Sequence, residues 1–266
     1  MTAYPVLTHG VDWLNYRIFV CTKNTDMTSK TSGLVLRSVK HTDKSFIVTI
    51  YTRDFGRISY IVYGAGRKKS SVKPACFLPL SIIEFSATHH PMKDIQQLNE
   101  ARIAHNLSGI FASPIKNAIT LFIAELLFKT LKHPDPEPNM FDFLKEAVLT
   151  LDQNEVCVAN FHLVFAMQLC RYLGIEPNGE YATSAYFDLM NGVFVKNKPL
   201  HSHFLSTEAT KAFASLLNLT FDEMHTLNLS RNKRNELLEH LLEYYKLHIP
   251  DFHGLNSTSV LHEIFS

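Results

Sequence analysis

GLVLRSVKHTDKSFIVTIYTRDFGRISYIVY, residues 33–63, breaks into three runs rich in Val, Ile, Phe and Tyr (33–40, 45–52 and 57–63) joined by short polar turns. Such side chains fit a pleated, half-buried surface, and Gly56 suits a tight hairpin turn, so the stretch predicts a three-stranded antiparallel meander. Two further extended runs follow, 75–88 and 95–105, in which Pro79 and Pro91 confine parts of the pattern to edges or bends. Five strands in about 75 residues predict a small closed or half-open antiparallel barrel, of which the OB-fold is a common form.

Between the third and fourth of these runs lies GAGRKKSSVK, residues 64–73. Glycines at 64 and 66 let the backbone take positive φ and approach a ligand closely. Arg67, Lys68, Lys69 and Lys73 repel one another unless an anion neutralises them, and a polyanion such as DNA does so. The bland alternative is a solvated turn that maintains solubility.

The charge of the whole chain hides how uneven it is. The 266 residues carry a formal net charge of +1 and are 46% hydrophobic, enough to bury a sizeable core in one or two domains. Residues 28–86 nevertheless hold Lys30, Arg37, Lys40, Lys44, Arg53, Arg57, Arg67, Lys68, Lys69 and Lys73 against only Asp43, Asp54 and Glu84. From residue 87 onward acids outnumber Lys and Arg, 20 to 14. A basic module for a polyanion, joined to an acidic module with another task, is the simplest reading.

From Pro114 the apolar period lengthens to three and four. Residues 114–131 read as a core-facing helix that starts on a proline and stops before Pro134, Pro136 and Pro138. Residues 140–151, 156–173 and 206–217 repeat the pattern. A capping box at Thr220 and Glu223 opens a short helix, and residues 232–248 make the last long one. The expected fold is therefore α+β: an N-terminal small antiparallel β-barrel of the OB-fold type over 31–106, followed by an all-helical domain over 107–266. Residues 1–30 read as a leader, with Met27 expected as the natural start; they lack the basic start and cleavage site of a signal peptide.

Several function classes find no support. Cys21, Cys76, Cys157 and Cys170 form no Cys-x-x-Cys pair, which points away from a disulfide framework or zinc ribbon and toward a reducing cytoplasm. The longest apolar run, 118–131, is broken by Glu125 and Lys129 and falls short of a membrane span. His201 with His203, and His89 with His90, lack a carboxylate or thiol at metal-ligand spacing and read as surface or packed histidines. Ser70-Ser71 after Lys68-Lys69 lacks P-loop spacing, and no nucleophile-elbow serine is present. No enzyme, metal or cofactor is expected.

Three passages, in this order, resemble the RecO family of bacterial recombination mediators: Phe55-Gly56-Arg57-Ile58-Ser59, then Gly64-Ala65-Gly66-Arg67, then Leu241-Leu242-x-Tyr244-Tyr245-x-x-His248. The likeness runs from about residue 31 to residue 265. It implies a DNA-binding OB-fold that binds single- and double-stranded DNA and anneals complementary strands. It also implies a helical domain that meets protein partners, with RecA loaded on gaps coated by single-strand-binding protein together with RecR. Many members carry a four-cysteine zinc site after the third helix, whereas residues 174–203 here contain no cysteine, so packing around Tyr186, Phe187, Val193, Phe194 and Val195 is expected instead.

Annealing needs no nucleophile; it needs screening of two strands that repel. Arg67, Lys68, Lys69 and Lys73 are expected to form the main backbone contact, helped by Arg37, Lys40, Lys44, Arg53 and Arg57. Strand alternation forbids all of these from sharing one face. Tyr51, Phe55, Tyr60 and Tyr63 could stack bases, with barrel packing as the simpler role. For the acidic, apolar-ended tail of single-strand-binding protein the expected cations are Lys129 and Lys132, or Arg171. Arg231, Lys233 and Arg234 either touch DNA or are merely exposed. A peptide-binding adaptor and an RNA-binding OB protein are the other readings.

Overall fold

The computed structural model describes residues 27–64, 72–155 and 158–265. Five strands, β1 (Met27–Thr42), β2 (Ser45–Thr52), β3 (Gly56–Tyr63), β4 (Ile82–His89) and β5 (Ile95–Ile103), close into a barrel in the order β1-β2-β3-β5-β4. β3 and β5 run parallel and every other neighbouring pair antiparallel, the arrangement of an OB-fold. β1 serves two partners: residues 27–34 pair with β4 and residues 33–42 with β2, with a bulge in the second ladder between Val35 and Arg37. The bulge bends the strand across the barrel. Met27–Lys30, grouped with the leader from sequence, are the first residues of β1 to pair with β4.

Val35, Val48, Ile50, Tyr60, Val62, Ile83, Phe85, Ala87 and Leu98 fill the barrel. The extended run expected from residue 75 begins only at Ile82. Pro74–Phe77 instead make a 3-10 turn that inserts Cys76 and Phe77 into the barrel core, a conformation that Pro74 at its first position favours.

Helices α1 (Ser108–Ala112), α2 (Pro114–Thr130), α3 (Pro138–Gln153), α4 (Phe161–Tyr172), α5 (Thr207–Ala214), α6 (Arg231–His248) and α7 (Ser257–Ile264) follow. Ser113 caps α2 by accepting from Lys116 N, and α2 is buried on almost every side, as a helix apolar nearly all round must be. The Thr220–Glu223 capping box forms reciprocally, with Thr220 N on Glu223 Oε2 at 3.2 Å and Glu223 N on Thr220 Oγ1 at 3.3 Å. It opens a single 3-10 turn at Met224–Thr226 rather than a full helix.

Between α4 and α5 a small sheet, β6 (Tyr186–Asp188), β7 (Val193–Val195) and β8 (Phe204–Leu205), packs by Phe187 against the ring of Phe213 at 4.7 Å, with its cross-strand partner Phe194 at 4.9 Å. One apolar cluster runs from Leu34, Leu36 and Tyr51 on the outside of the barrel into all the long helices. Barrel and helices therefore share a core.

Candidate nucleic-acid interface

Because Val48, Ile50, Tyr60 and Val62 point into the barrel, Ile47, Thr49, Tyr51, Arg57, Ser59, Ile61 and Tyr63 point out. This outer face has two halves with different fates. The half near the β2–β3 turn is taken by the helices. Tyr51 is 2% exposed there, and Arg57 donates to the carbonyls of Phe128, at 2.9 Å, and Leu131, at the end of α2. Those carbonyls lack partners within the helix, so Arg57 closes its C-terminus from the barrel. The guanidinium also stands 4.5 Å from the Phe128 ring centre, with Arg37 4.9 Å from the same ring, and its pKa is lowered by burial.

Arg53 pairs with Asp142 of α3 and lies 5.9 Å from the Phe141 ring. Gly56, at φ +63, approaches the proline linker so closely that a Cβ would lie 2.5 Å from Asp135 O. Phe55-Gly56-Arg57 is thus the joint between barrel and helices. Of the cations expected on phosphates, Arg53 and Arg57 have partners inside the chain, and Arg37 stacks on Phe128.

The other half is open. Val39 pairs with Ile47 and Ile47 with Ile61, forming a cross-strand aliphatic row beside Tyr63. Val39 is 44% and Tyr63 60% exposed. Lys40, His41 and Lys44 stand exposed in the β1–β2 turn at the edge of this face. Lys40 pairs with Asp43 at 2.7 Å, but both side chains are largely in water and the pair holds it weakly. Gly64 N donates to Lys44 O at 2.8 Å, so the basic stretch leaves the barrel beside that turn. Where the chain is next described, Val72 is buried in the barrel core and Lys73 is exposed. Arg67, Lys68 and Lys69 lie outside the described residues.

Three of the four aromatics considered for stacking are occupied. Tyr60 is fully buried with its hydroxyl 3.1 Å from His89 Nε2, Tyr51 packs against the helices, and Phe55 sits edge-on to His89. Tyr63 remains open.

On the helical side the structure brings Lys129 and Lys132 together and leaves Arg171 elsewhere. The two lysines line a cleft of about 790 Å³ between the barrel and α2, with Arg57, Lys93, Asp251 and His253. Both also tie down the C-terminal segment: Lys129 Nζ reaches Gly254 O at 2.6 Å and Glu125 at 2.9 Å, and Lys132 Nζ reaches Pro250 O at 2.6 Å. Arg171 pairs with Glu176 on a separate groove with Tyr172 and Leu219. Lys233 pairs with Glu208, while Arg234 bonds Asn160 Oδ1 and Leu229 O.

His201 and His203 diverge, toward Asp188 at 3.2 Å and Glu243 at 2.9 Å. A four-cysteine zinc site does not fit residues 174–203, which offer no thiolate. Sequence reasoning missed what stands there: the Asp188 carboxylate accepts from Met190 N, Asn191 N, Asn191 Nδ2 and, as the donor's tautomer allows, His201 Nε2. An Asp followed by a four-residue turn with Gly192 is the signal that could have found it.

In the C-terminal motif, Tyr244 OH donates to Ile175 O at 2.8 Å and Tyr245 OH to Ala166 O at 2.7 Å. His248 Nε2 lies 2.7 Å from Leu189 O, and a carbonyl partner requires the proton on that nitrogen. This motif locks α6 to its neighbours.

Residues 27–107 match the family described as Recombination protein O N terminal, and residues 112–257 the one described as Recombination protein O C terminal. The chain belongs to the RecO family. It is similar to the DNA repair protein RecO of Phocaeicola vulgatus, 39% identical over 90% of this chain and 100% of the relative. The RecO proteins of Bacteroides fragilis, at 37%, and Flavobacterium psychrophilum, at 34%, are covered to the same extent. Family membership gives the chain a role in DNA repair. Among the described residues no helix is long and apolar enough to cross a membrane.

Proposed function

We propose that this RecO-family chain is a non-enzymatic recombination mediator. It binds single- and double-stranded DNA on the open half of the barrel face, anneals complementary strands, and helps load RecA, with RecR, on gaps coated with single-strand-binding protein. The observation that carries the DNA reading is the convergence of Lys40, Lys44 and the start of the 64–73 stretch at one edge of an uncovered OB face. The DNA-contacting set is then Lys40, Lys44, Arg67, Lys68, Lys69 and Lys73. Arg37, Arg53 and Arg57 serve the joint, where they set the angle between DNA and helices. RecR and RecA rest on family membership alone.

Neutralising phosphates on two strands releases counterions and lowers the barrier to pairing, with a salt slope of about −0.7 per single-strand phosphate contact. The test is fluorescence annealing of complementary oligonucleotides, bare and coated with single-strand-binding protein, by the wild type and by Arg67→Glu/Lys68→Glu/Lys69→Glu. Acceleration by the wild type, lost in the variant together with roughly two units of salt slope, supports the reading. No acceleration by folded protein rejects it.

For the acidic tail of single-strand-binding protein we place the site in the Lys129/Lys132 cleft. A tail-peptide titration weakened by Lys132→Glu and unaffected by Arg171→Ala supports that placement, and the reverse rejects it. The aliphatic row of Val39, Ile47 and Ile61 favours a second reading, a protein-binding adaptor, which predicts no annealing activity.

A further inference from the structure

We propose that the open barrel face holds a DNA strand by its sugar–phosphate backbone and leaves the bases turned to solvent, free to pair. The inference rests on the DNA reading above and specifies which part of the nucleic acid the face recognises.

Sequence-tolerant single-strand binders usually combine a cationic track with several aromatic platforms, and each stacked base contributes a factor of roughly 5 to 150 in affinity. This barrel has the track and lacks the platforms. Its Phe and Tyr residues among those described are Phe46, Tyr51, Phe55, Tyr60, Tyr63, Phe77 and Phe85. Phe77, Phe85 and Tyr60 are barrel core, and Phe46 packs against that core. Tyr51 belongs to the core shared with the helices, and Phe55 is half-buried in the β2–β3 turn with its ring edge-on to His89.

Among the described barrel residues Tyr63 alone of the Phe and Tyr rings is largely exposed, and residues 65–71 contain no aromatic residue. The smaller ring of His41 is exposed in the β1–β2 turn. What the face offers instead is C–H surface: Val39, Ile47 and Ile61 in one row, and Ile95, 40% exposed, opposite Ser59. That surface suits the apolar edge of deoxyribose, while the cations at its rim suit phosphates. A strand so held has its pairing edges uncovered, which an annealing protein needs and a base-stacking one must undo.

The experiment is fluorescence anisotropy with the full chain across a salt series. The ligands are a mixed-sequence single strand, an equally long strand of tetrahydrofuran abasic sites, and the corresponding duplex. The expected result is affinity for the abasic strand within about threefold of the normal strand at every salt concentration, with parallel slopes. The single strand should show no advantage over the duplex, and Tyr63→Ala/His41→Ala should weaken single-strand binding by less than about threefold. An abasic strand bound tenfold more weakly or worse, or a ring variant that loses single-strand but not duplex binding, overturns the inference and leaves the DNA reading intact. Failure to bind any of the three ligands overturns both.

Discussion

Arg57 belongs by sequence to a basic module, yet its guanidinium ends on two carbonyls at the C-terminus of α2 and on the ring of Phe128. Arg57→Ala leaves those carbonyls without a partner in a half-buried position, and unfolding in urea should show about 2 kcal/mol less stability. DNA affinity of the folded variant should stay within about threefold of wild type. Lys44→Glu should do the opposite, leaving the urea midpoint in place and weakening DNA binding clearly. Equal effects of both variants on DNA affinity would show that Arg57 serves phosphates after all. Gly56 supplies a companion test, since a side chain there meets both a positive φ and the Asp135 carbonyl. Gly56→Ala should cost about 1–3 kcal/mol. The basic set itself was legible in the sequence, and alternation showed that it could not share one face. Which half of that face the helices cover depends on contacts to Phe128, Leu131 and Asp142, more than 70 residues away, and no local pattern carries that information.

Among the elements, the five strands and long helices could be read because their periods of two and of three to four are local properties. What could not be read was set by distant partners. The last helix, α7, receives its N-terminal cap from Glu125 of α2, which accepts from Asn256 N at 3.0 Å and Ser257 N at 2.8 Å. The bulge in β1 follows from one strand serving two neighbours. The β6–β7 turn depends on the Asp188 carboxylate, which is 6% exposed and accepts from two backbone amides. Asp188→Ala leaves those amides unmatched and should destabilise the protein by about 1–3 kcal/mol. Hydrogen exchange should quicken first in Tyr186–Asp188 and Val193–Val195, while the barrel strands stay protected. Uniform loss of protection across the chain would show that this sheet is no separate cooperative unit.

For the molecule as a whole, burial makes stability sensitive to acid through a few titratable groups. His162 is fully buried between the rings of Phe122 and Phe265; burial, and then the charge of Arg234 and His262, push its pKa down to about 3. Its ordinary value is 6.5. The unfolded chain therefore takes up this proton first. The stability it protects is complete above pH 6.5 and declines from there toward pH 3, at about 1.4 kcal/mol per unit. His89, lowered by burial and by His90, acts in the same direction. For Glu125, burial raises the pKa, but hydrogen bonds from Asn256, Ser257 and Lys129 outweigh it and hold the group at about 2, below its ordinary 4.5. Its contribution is intact above pH 4.5 and is lost only below that. Stability measured by urea unfolding should thus begin to fall below pH 6.5, and His162→Phe, which keeps the ring stack, should flatten the slope between pH 6.5 and 4.5. Glu125→Gln should leave that slope unchanged, lower stability at neutral pH, and flatten the curve below pH 4.5. A His162→Phe variant with the wild-type slope between pH 6.5 and 4.5 would mean that this histidine is not what couples the shared core to acid.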